Sequence, residues 1–301
     1  MYRVFAIGNP VMDIIETPFG STNGRVLSGC STNAALTVGK LGYRSAFVGR
    51  AGNDYKDEII RKASERNVDA YIIKDERTAG FHLRYLDEDL DDRELRIIAV
   101  AGKIEEVPEE TFDSEAIIIA PVLQEVPLSL VKSVSDSYDS LITMDVQGFI
   151  RRLRGGKVER YRNPEVFEAM RLVDVAKPNE HEAAVIFPGL DPIQAAKRLS
   201  EINRLPIGIV TLDGNGSIVY YDGSAYHIPA YPVKRPKDPT GCGDVYLGAF
   251  THRYLKTEDP IESAAFASAA ASYMVEHIGP DRLMENIEER FERVYDHVKS
   301  V

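Results

Sequence analysis

Asp238-Pro239-Thr240-Gly241-Cys242-Gly243-Asp244-Val245-Tyr246-Leu247-Gly248-Ala249-Phe250 is the stretch that decides the reading. Two glycines flank one small residue immediately before an expected helix. Glycine lets successive backbone N–H groups turn inward and approach an anion closely. A helix N-terminus adds its own unpaired N–H groups and a partial positive charge. Such a corner suits the charge that builds up while a phosphoryl group is transferred. Asp244, in the first turn, stands where a carboxylate can take the proton of an attacking hydroxyl. Gly-x-Gly-Asp alone fits an ordinary glycine turn with a capping Asp equally well. The pattern is not a Walker A loop, which needs Lys-Ser or Lys-Thr after its second Gly, nor a dinucleotide-binding fingerprint.

Outward from this turn the chain alternates between strand and helix. Val4–Ile7 is a short apolar run stopped by Gly8-Asn9-Pro10, and Ser45–Gly49 is another. Residues 117–119, 141–145, 173–176 and 207–211 also read as strands. Helices are expected over 33–41, 55–66, 127–138, 164–172, 179–187, 192–202, 244–255, 260–277 and 283–299. Asp222-Gly223 between two alternating runs predicts a hairpin over 217–228. A second hairpin, 82–85 with 95–98, carries the acidic tip Asp87–Asp92, read as a solvated loop because EF-hand spacing is absent. Strands alternating with helices predict an α/β fold with a mostly parallel sheet covered on both faces.

Composition narrows the function classes. Across 301 residues the net charge is -11, which argues against a nucleic-acid partner. Apolar residues make up 44%, enough to bury a substantial core. Two cysteines, Cys30 and Cys242, allow neither a disulfide framework nor a four-thiolate metal site. The first apolar run is too short for a signal peptide, and no run approaches the length of a membrane span. A cytoplasmic protein with no membrane partner is expected. The histidines are scattered without metal-ligand spacing.

The full spacing Asp-x-Thr-Gly-x-Gly-Asp, followed by Gly-Ala-Phe, resembles the C-terminal signature of the ribokinase family, also called the PfkB carbohydrate kinases. Further elements match in order. Gly8-Asn9-Pro10-Val11-Met12-Asp13 resembles the opening turn. Ser28-Gly29-Cys30-Ser31-Thr32-Asn33 resembles the Gly-Gly-x-x-x-Asn element, with Ser28 for the first Gly. Leu41-Gly42 and Gly49-Arg50-Ala51-Gly52-Asn53-Asp54 fit. Asn179-Glu180-His181-Glu182 supplies Asn-x-x-Glu, and Val210–Gly216 resembles the donor turn, with Asp213 where Gly is commoner. The resemblance implies one three-layer α/β/α ribokinase-like domain over 1–301, with a mostly parallel central sheet. It also implies a small β-strand lid from about 14–36 and 76–100, and pairing of two copies through the lid.

The resemblance further implies roles. Asp244 would be the base, and the N–H groups of Gly241, Cys242 and Gly243 would stabilise the transferring group. Asp13, Gly29, Asn33 and Gln147 would hold the acceptor. Asn179, Thr211, Asp213, Gly214 and Gly216 would line the nucleotide. Asn179 and Glu182 would position Mg2+ through water, with ATP as donor. Asp238 matches a position that binds a monovalent cation such as K+ in some relatives, with a turn-capping role as the alternative. Cys242, at a helix N-terminus, is either a small buried residue or a thiol with lowered pKa.

The acceptor is less legible. Ala120–Pro127 and Asp145–Arg151 look like archaeal members, most similar to the myo-inositol kinases, with cytidine-type nucleoside kinases also similar. A sugar or polyol is the first expectation and a nucleoside the second, with Phe19, Phe81 and Tyr85 as candidates to clamp a base. Arg151-Arg152-x-Arg154 reads as a solvated basic turn, with Arg151 and Arg152 facing the cleft as the alternative. Cys30 stands where phosphosugar kinases often carry Lys. A non-catalytic nucleotide sensor is the alternative from another class, opposed by the intact Gly-x-Gly-Asp.

Overall fold

The computed structural model describes residues 1–90 and 92–301; Asp91, within the acidic tip expected to be solvated, lies outside them. Six parallel strands form the central sheet: β1 (Val4–Ile7), β5 (Ser45–Gly52), β6 (Val68–Asp75), β9 (Ala116–Ile119), β10 (Leu141–Asp145) and β13 (Val175–Lys177), in the order β13-β10-β9-β1-β5-β6. Their apolar residues alternate between two covered faces. Phe5, Ile7, Ile117, Ile119, Ile142 and Met144 face one core; Val4, Ala6, Phe47 and Ile118 face the other. The first core is closed by α3 (Leu128–Ser137), α4 (Glu165–Arg171), α5 (Glu180–Ile186) and α6 (Pro192–Ile202). The second is closed by α1 (Cys30–Lys40), α2 (Lys56–Ser64) and α7 (Cys242–Thr257). Burial on both faces is why these strands read as continuous apolar runs.

Four antiparallel strands continue beyond β13: β14 (Gly208–Thr211), β15 (Ser217–Tyr221), β16 (Ser224–Ile228) and β17 (Lys299–Ser300). They pack on α8 (Pro260–Val275), and α9 (Ile287–Tyr295) packs against α8. A separate sheet stands over the C-terminal ends of β1 and β5. It contains β2 (Val11–Thr17), β3 (Gly20–Ser21), β4 (Val26–Ser28), β7 (Gly80–Tyr85) and β8 (Arg93–Ala99). Strands β7 and β8 form the hairpin read from 82–85 and 95–98. A small hairpin, β11 (Arg151–Arg154) with β12 (Lys157–Arg160), follows β10.

Several expectations need correction. The strand expected over 173–176 is displaced to Val175–Lys177, which brings Lys177 to the end of the sheet. The last helix covers only Ile287–Tyr295, and the chain then returns as β17 to pair with β16. Arg151-Arg152-x-Arg154 is not a solvated turn but a strand, and Arg151 is buried. Strands β2 and β6 were not read from the sequence at all.

Helix α7 lies close against α1. A Cβ on Gly248 would come within 2.5 Å of the Ala34 carbonyl oxygen. Only glycine allows that approach, and it fixes the distance between the two helices whose first turns carry Asn33 and Asp244.

Candidate active site

The N-terminus of α7 opens on a left-handed residue, Gly241, with φ 82°. A Cβ there would also meet Asn33 Nδ2 at 2.9 Å, so shape and conformation both demand glycine. The N–H groups of Gly241, Gly243 and Asp244 have no acceptor among the described residues. Cys242 differs from expectation: its N–H donates to the Pro239 carbonyl at 3.2 Å. The anion corner therefore consists of its neighbours' amides. Asp238 braces the turn from below. It is buried, one oxygen accepting the Thr240 N–H and the other the Gly279 N–H, each at 2.8 Å.

Asp244 is half-buried at the mouth of this corner. Its Oδ2 accepts a hydrogen bond from Asn33 Nδ2 at 2.9 Å. Burial first, and then the charge of Asp145, push its carboxyl up to about 6, against the pull of Asn33, Cys30 and Lys177. Such a group is ionised at neutral pH yet still basic enough to accept a proton. Asn33 Nδ2 also donates to Ser28 Oγ at 3.3 Å, while its buried Oδ1 has no partner. Gly29 caps the start of α1 and accepts the Asn33 N–H at 2.7 Å.

Asp13, on β2, faces the same space. Its Oδ1 accepts the Phe81 N–H at 2.8 Å. Burial pushes its carboxyl up to about 7; the Asp244 charge adds to the rise, while Phe81, Ser28 and Arg93 oppose it. Gln147 closes the floor, its Nε2 reaching Cys30 Sγ at 3.1 Å. Asp13, Asn33, Gln147 and Asp244 thus surround one space with hydrogen-bonding groups suited to an alcohol.

Behind it lies a buried charge cluster. Lys177 Nζ is 2.9 Å from Asp145 Oδ2, and both residues are buried. Burial disfavours the ammonium, but Asp145 foremost, then Glu182, outweigh it and raise its pKa. Glu182 begins α5 in a reciprocal cap with Asn179: each backbone N–H donates to the other's side chain at 2.9 Å. Burial, then Asp145, raises the Glu182 carboxyl. Asp145 and Glu182 bring carboxylate oxygens to this corner, the donor type that a hard divalent cation takes, directly or through water.

The turn after β14 completes the cleft. Thr211 pairs with Asn179 across to α5, its N–H donating to Pro178 O at 3.1 Å. Asp213, Gly214 and Asn215 form an exposed 3-10 turn closed by Gly216. Asp213 is left-handed at φ 47°, which accounts for glycine being commoner at such a position.

Residues 3–287 match the family model of the pfkB family carbohydrate kinases. The chain belongs to that family. Members are phosphotransferases acting on hydroxyl groups, so this PfkB kinase is a sugar or nucleoside kinase of the ribokinase type. It is 27% identical over 266 residues to a cytidine kinase of Thermococcus kodakarensis, covering 85% of this chain and 90% of the relative. Two solved structures share its fold. One is a pyrophosphate-dependent kinase of the ribokinase family in a sulfate complex, with TM-score 0.80 and 22% identity over 96% of this chain and 99% of the other. The second is a pyrophosphate-dependent kinase complexed with a pyrophosphate analogue and myo-inositol, with TM-score 0.77 and 20% identity over 97% and 100%. No helix among the described residues is long and apolar enough to cross a membrane.

In this PfkB kinase, the residues of the cleft that the sequence does not single out are Lys177, Asp145 and Arg93, while Arg151 takes the alternative place, facing the cleft, rather than the favoured solvated turn. The pairing of Lys177 with Asp145 joins two strands and leaves no local pattern. The thiol readings also sort out. Burial, and then nearby carboxylates, push both the Cys30 and Cys242 thiols up, opposite to the lowering that a helix N-terminus alone would give. Of the aromatic candidates, Phe81 and Tyr85 are packed inside and Phe19 is exposed. The Tyr85 hydroxyl lies 3.0 Å from Thr240 Oγ1, tying the separate sheet to the α7 turn.

Proposed function

We propose that the chain transfers the terminal phosphoryl group of ATP to a hydroxyl of a sugar or polyol such as myo-inositol. The observation that carries this reading is the Asp244 carboxylate, fixed by Asn33 beside the unoccupied amides of Gly241 and Gly243. The acceptor oxygen forms a bond to the γ-phosphorus as the bond to the bridging oxygen breaks. Its proton passes to Asp244, and a nucleoside diphosphate leaves. The amides stabilise charge on the group in transit. Asp13, Gly29, Asn33 and Gln147 orient the acceptor. Asn179 and Glu182 would hold Mg2+ through water, and the ion would neutralise phosphate charge. Thr211, Asp213, Gly214 and Gly216 line the nucleotide. Asp238, with both oxygens bonded to amides, takes the bracing role in place of a K+ site. The sheet containing β2, β7 and β8 acts as a lid, within a single functional domain, that excludes water.

A nucleoside acceptor is the second reading, supported by the cytidine kinase relative. The packing of Phe81 and Tyr85 inside the lid favours the polyol, because only Phe19 remains for stacking on a base. The deciding experiment is an acceptor screen: polyols, sugars and nucleosides, each with ATP and with pyrophosphate, read by release of nucleoside diphosphate or phosphate. Turnover of a polyol with ATP is the expected result. Turnover of nucleosides alone replaces the first reading with the second. Donor binding without turnover of any acceptor would make the chain a sensor.

A further inference from the structure

Arg151 is placed at odds with the stability of the empty protein. It opens β11 with only 8% of its surface exposed. Guanidinium keeps its proton at any physiological pH, and burying it unpaired costs several kcal/mol. The other buried cation of the cleft, Lys177, has its Asp145 partner. Arg151 makes no ion pair or side-chain hydrogen bond with any described residue, yet none of its nitrogens is sealed from the cleft. The charged groups it feels are Glu182, the Cys30 thiol and two further cations, Arg93 and Arg160. Arg160 is its cross-strand neighbour in the hairpin. Burial first, and then the like charge of Arg93, lower the Arg151 pKa against the pull of Glu182.

Arg93 comes from the opposite side, at the start of lid strand β8. One of its N–H groups donates to the Tyr85 hydroxyl at 3.2 Å. It also feels Glu182 and Asp213 toward the donor and Asp13 toward the acceptor. Strand β8 packs against β12, the hairpin partner of β11, and Tyr85, which Arg93 bonds, reaches Thr240 beside the α7 turn, so two guanidinium groups from separate elements are brought to one cleft. Such planar forks match phosphate oxygens.

We propose that Arg151 and Arg93 form a phosphate subsite in the cleft, additional to the α7 amides, that holds a phosphate group of a substrate. The subsite deepens the kinase reading and rests on it only for which substrate brings the phosphate. Two sources share this chemistry: a phosphate ester already on the acceptor, or the donor group in transfer. Binding energy in the loaded state offsets what Arg151 costs the empty one.

The first test needs no turnover. Isothermal titration of the full chain with inorganic phosphate should show a site in the wild type that is weakened or lost in Arg151→Gln. Affinity at that site should fall about 10- to 100-fold, with Arg151→Lys intermediate because it keeps the charge but not the fork. Without phosphate, Arg151→Gln should unfold at the same or a higher temperature than wild type. Kinetics then separate the sources. A rise in KM confined to phosphorylated acceptors places the phosphate on the acceptor. An equal fall in kcat for acceptors with and without phosphate, at constant KM, places it in transit. Unchanged phosphate stoichiometry and affinity in Arg151→Gln, whether or not its melting temperature falls, overturns the subsite. Because phosphate binding is read directly, a failed kinase reading would not be mistaken for a failed subsite.

Discussion

The first turn of α7 and the turn after β14 both face the cleft, but they are specified to very different degrees. At α7 packing fixes the side-chain positions and leaves only the turn's amides open. Gly241 is required by its φ and by Asn33, Gly248 by the Ala34 carbonyl, and Asp244 is held by an amide from another helix. At the other turn Gly214 has nothing within 4 Å of an added Cβ, and Asp213 occupies a left-handed conformation that suits glycine better. The difference teaches that the α7 end of the cleft is preorganised by packing, whereas the turn after β14 is defined mainly by its backbone path. Preorganisation matters most where charge develops, which under the proposed function is the α7 end.

The largest expected effect lies at the packed end. Asp244→Asn should lower kcat by about 10²- to 10⁴-fold, as for a lost general base, with donor affinity by titration within a few-fold of wild type. A near-normal rate would remove Asp244 from its role. The same variant makes a stability prediction. The folded carboxyl titrates near 6, above its unfolded value of about 4. Its contribution to stability is full below pH 4 and is lost as pH rises through 6. Asp244→Asn should therefore melt above wild type at pH 8, and the gap should close toward pH 4.

A smaller effect is expected at Asn33. Asn33→Ala removes a hydrogen bond that stabilises the Asp244 anion, a loss of roughly 1.5 kcal/mol, or about tenfold in rate. Because that bond lowers the Asp244 pKa, the acid limb of the pH–rate profile should move to higher pH. An unshifted limb with a lower plateau would make Asn33 an acceptor ligand only. The smallest effect tests the loose end. Asp213→Gly should stabilise the chain by at most about 1 kcal/mol in a denaturant titration, since glycine adopts φ near 47° without steric cost. A marked loss of stability or donor affinity would show that this turn is specified by its side chain after all, and would break the contrast.

The same contrast explains what the sequence could reveal. Backbone demands are written as glycine at fixed spacing, so Gly241, Gly243 and Asp244 were legible from one local stretch. The apolar runs of β1, β9 and β10 were legible because both faces are covered. Strand β6, Val-Asp-Ala-Tyr-Ile-Ile-Lys-Asp, is only partly buried and mixes charge with apolar residues, so its pattern is diluted. Lys177 with Asp145, and Arg151 with Arg93, meet through tertiary packing across long separations, which spacing along the chain cannot encode. Arg151 was misread because three nearby arginines ordinarily mean a solvated face; the hairpin turns one of them inward.

The contact between Gly248 and Ala34 has a kinetic corollary. Asn33 and Asp244 each sit within one helical turn of that seam, so their mutual alignment is inherited from two rigid rods rather than from anything that opens and shuts. Under the proposed mechanism, a lid movement of the β2–β7–β8 sheet would admit reactants and shed products while Asp244 and its Asn33 partner stay assembled, so slow turnover would be a matter of traffic through the opening, not of rebuilding the machinery each time.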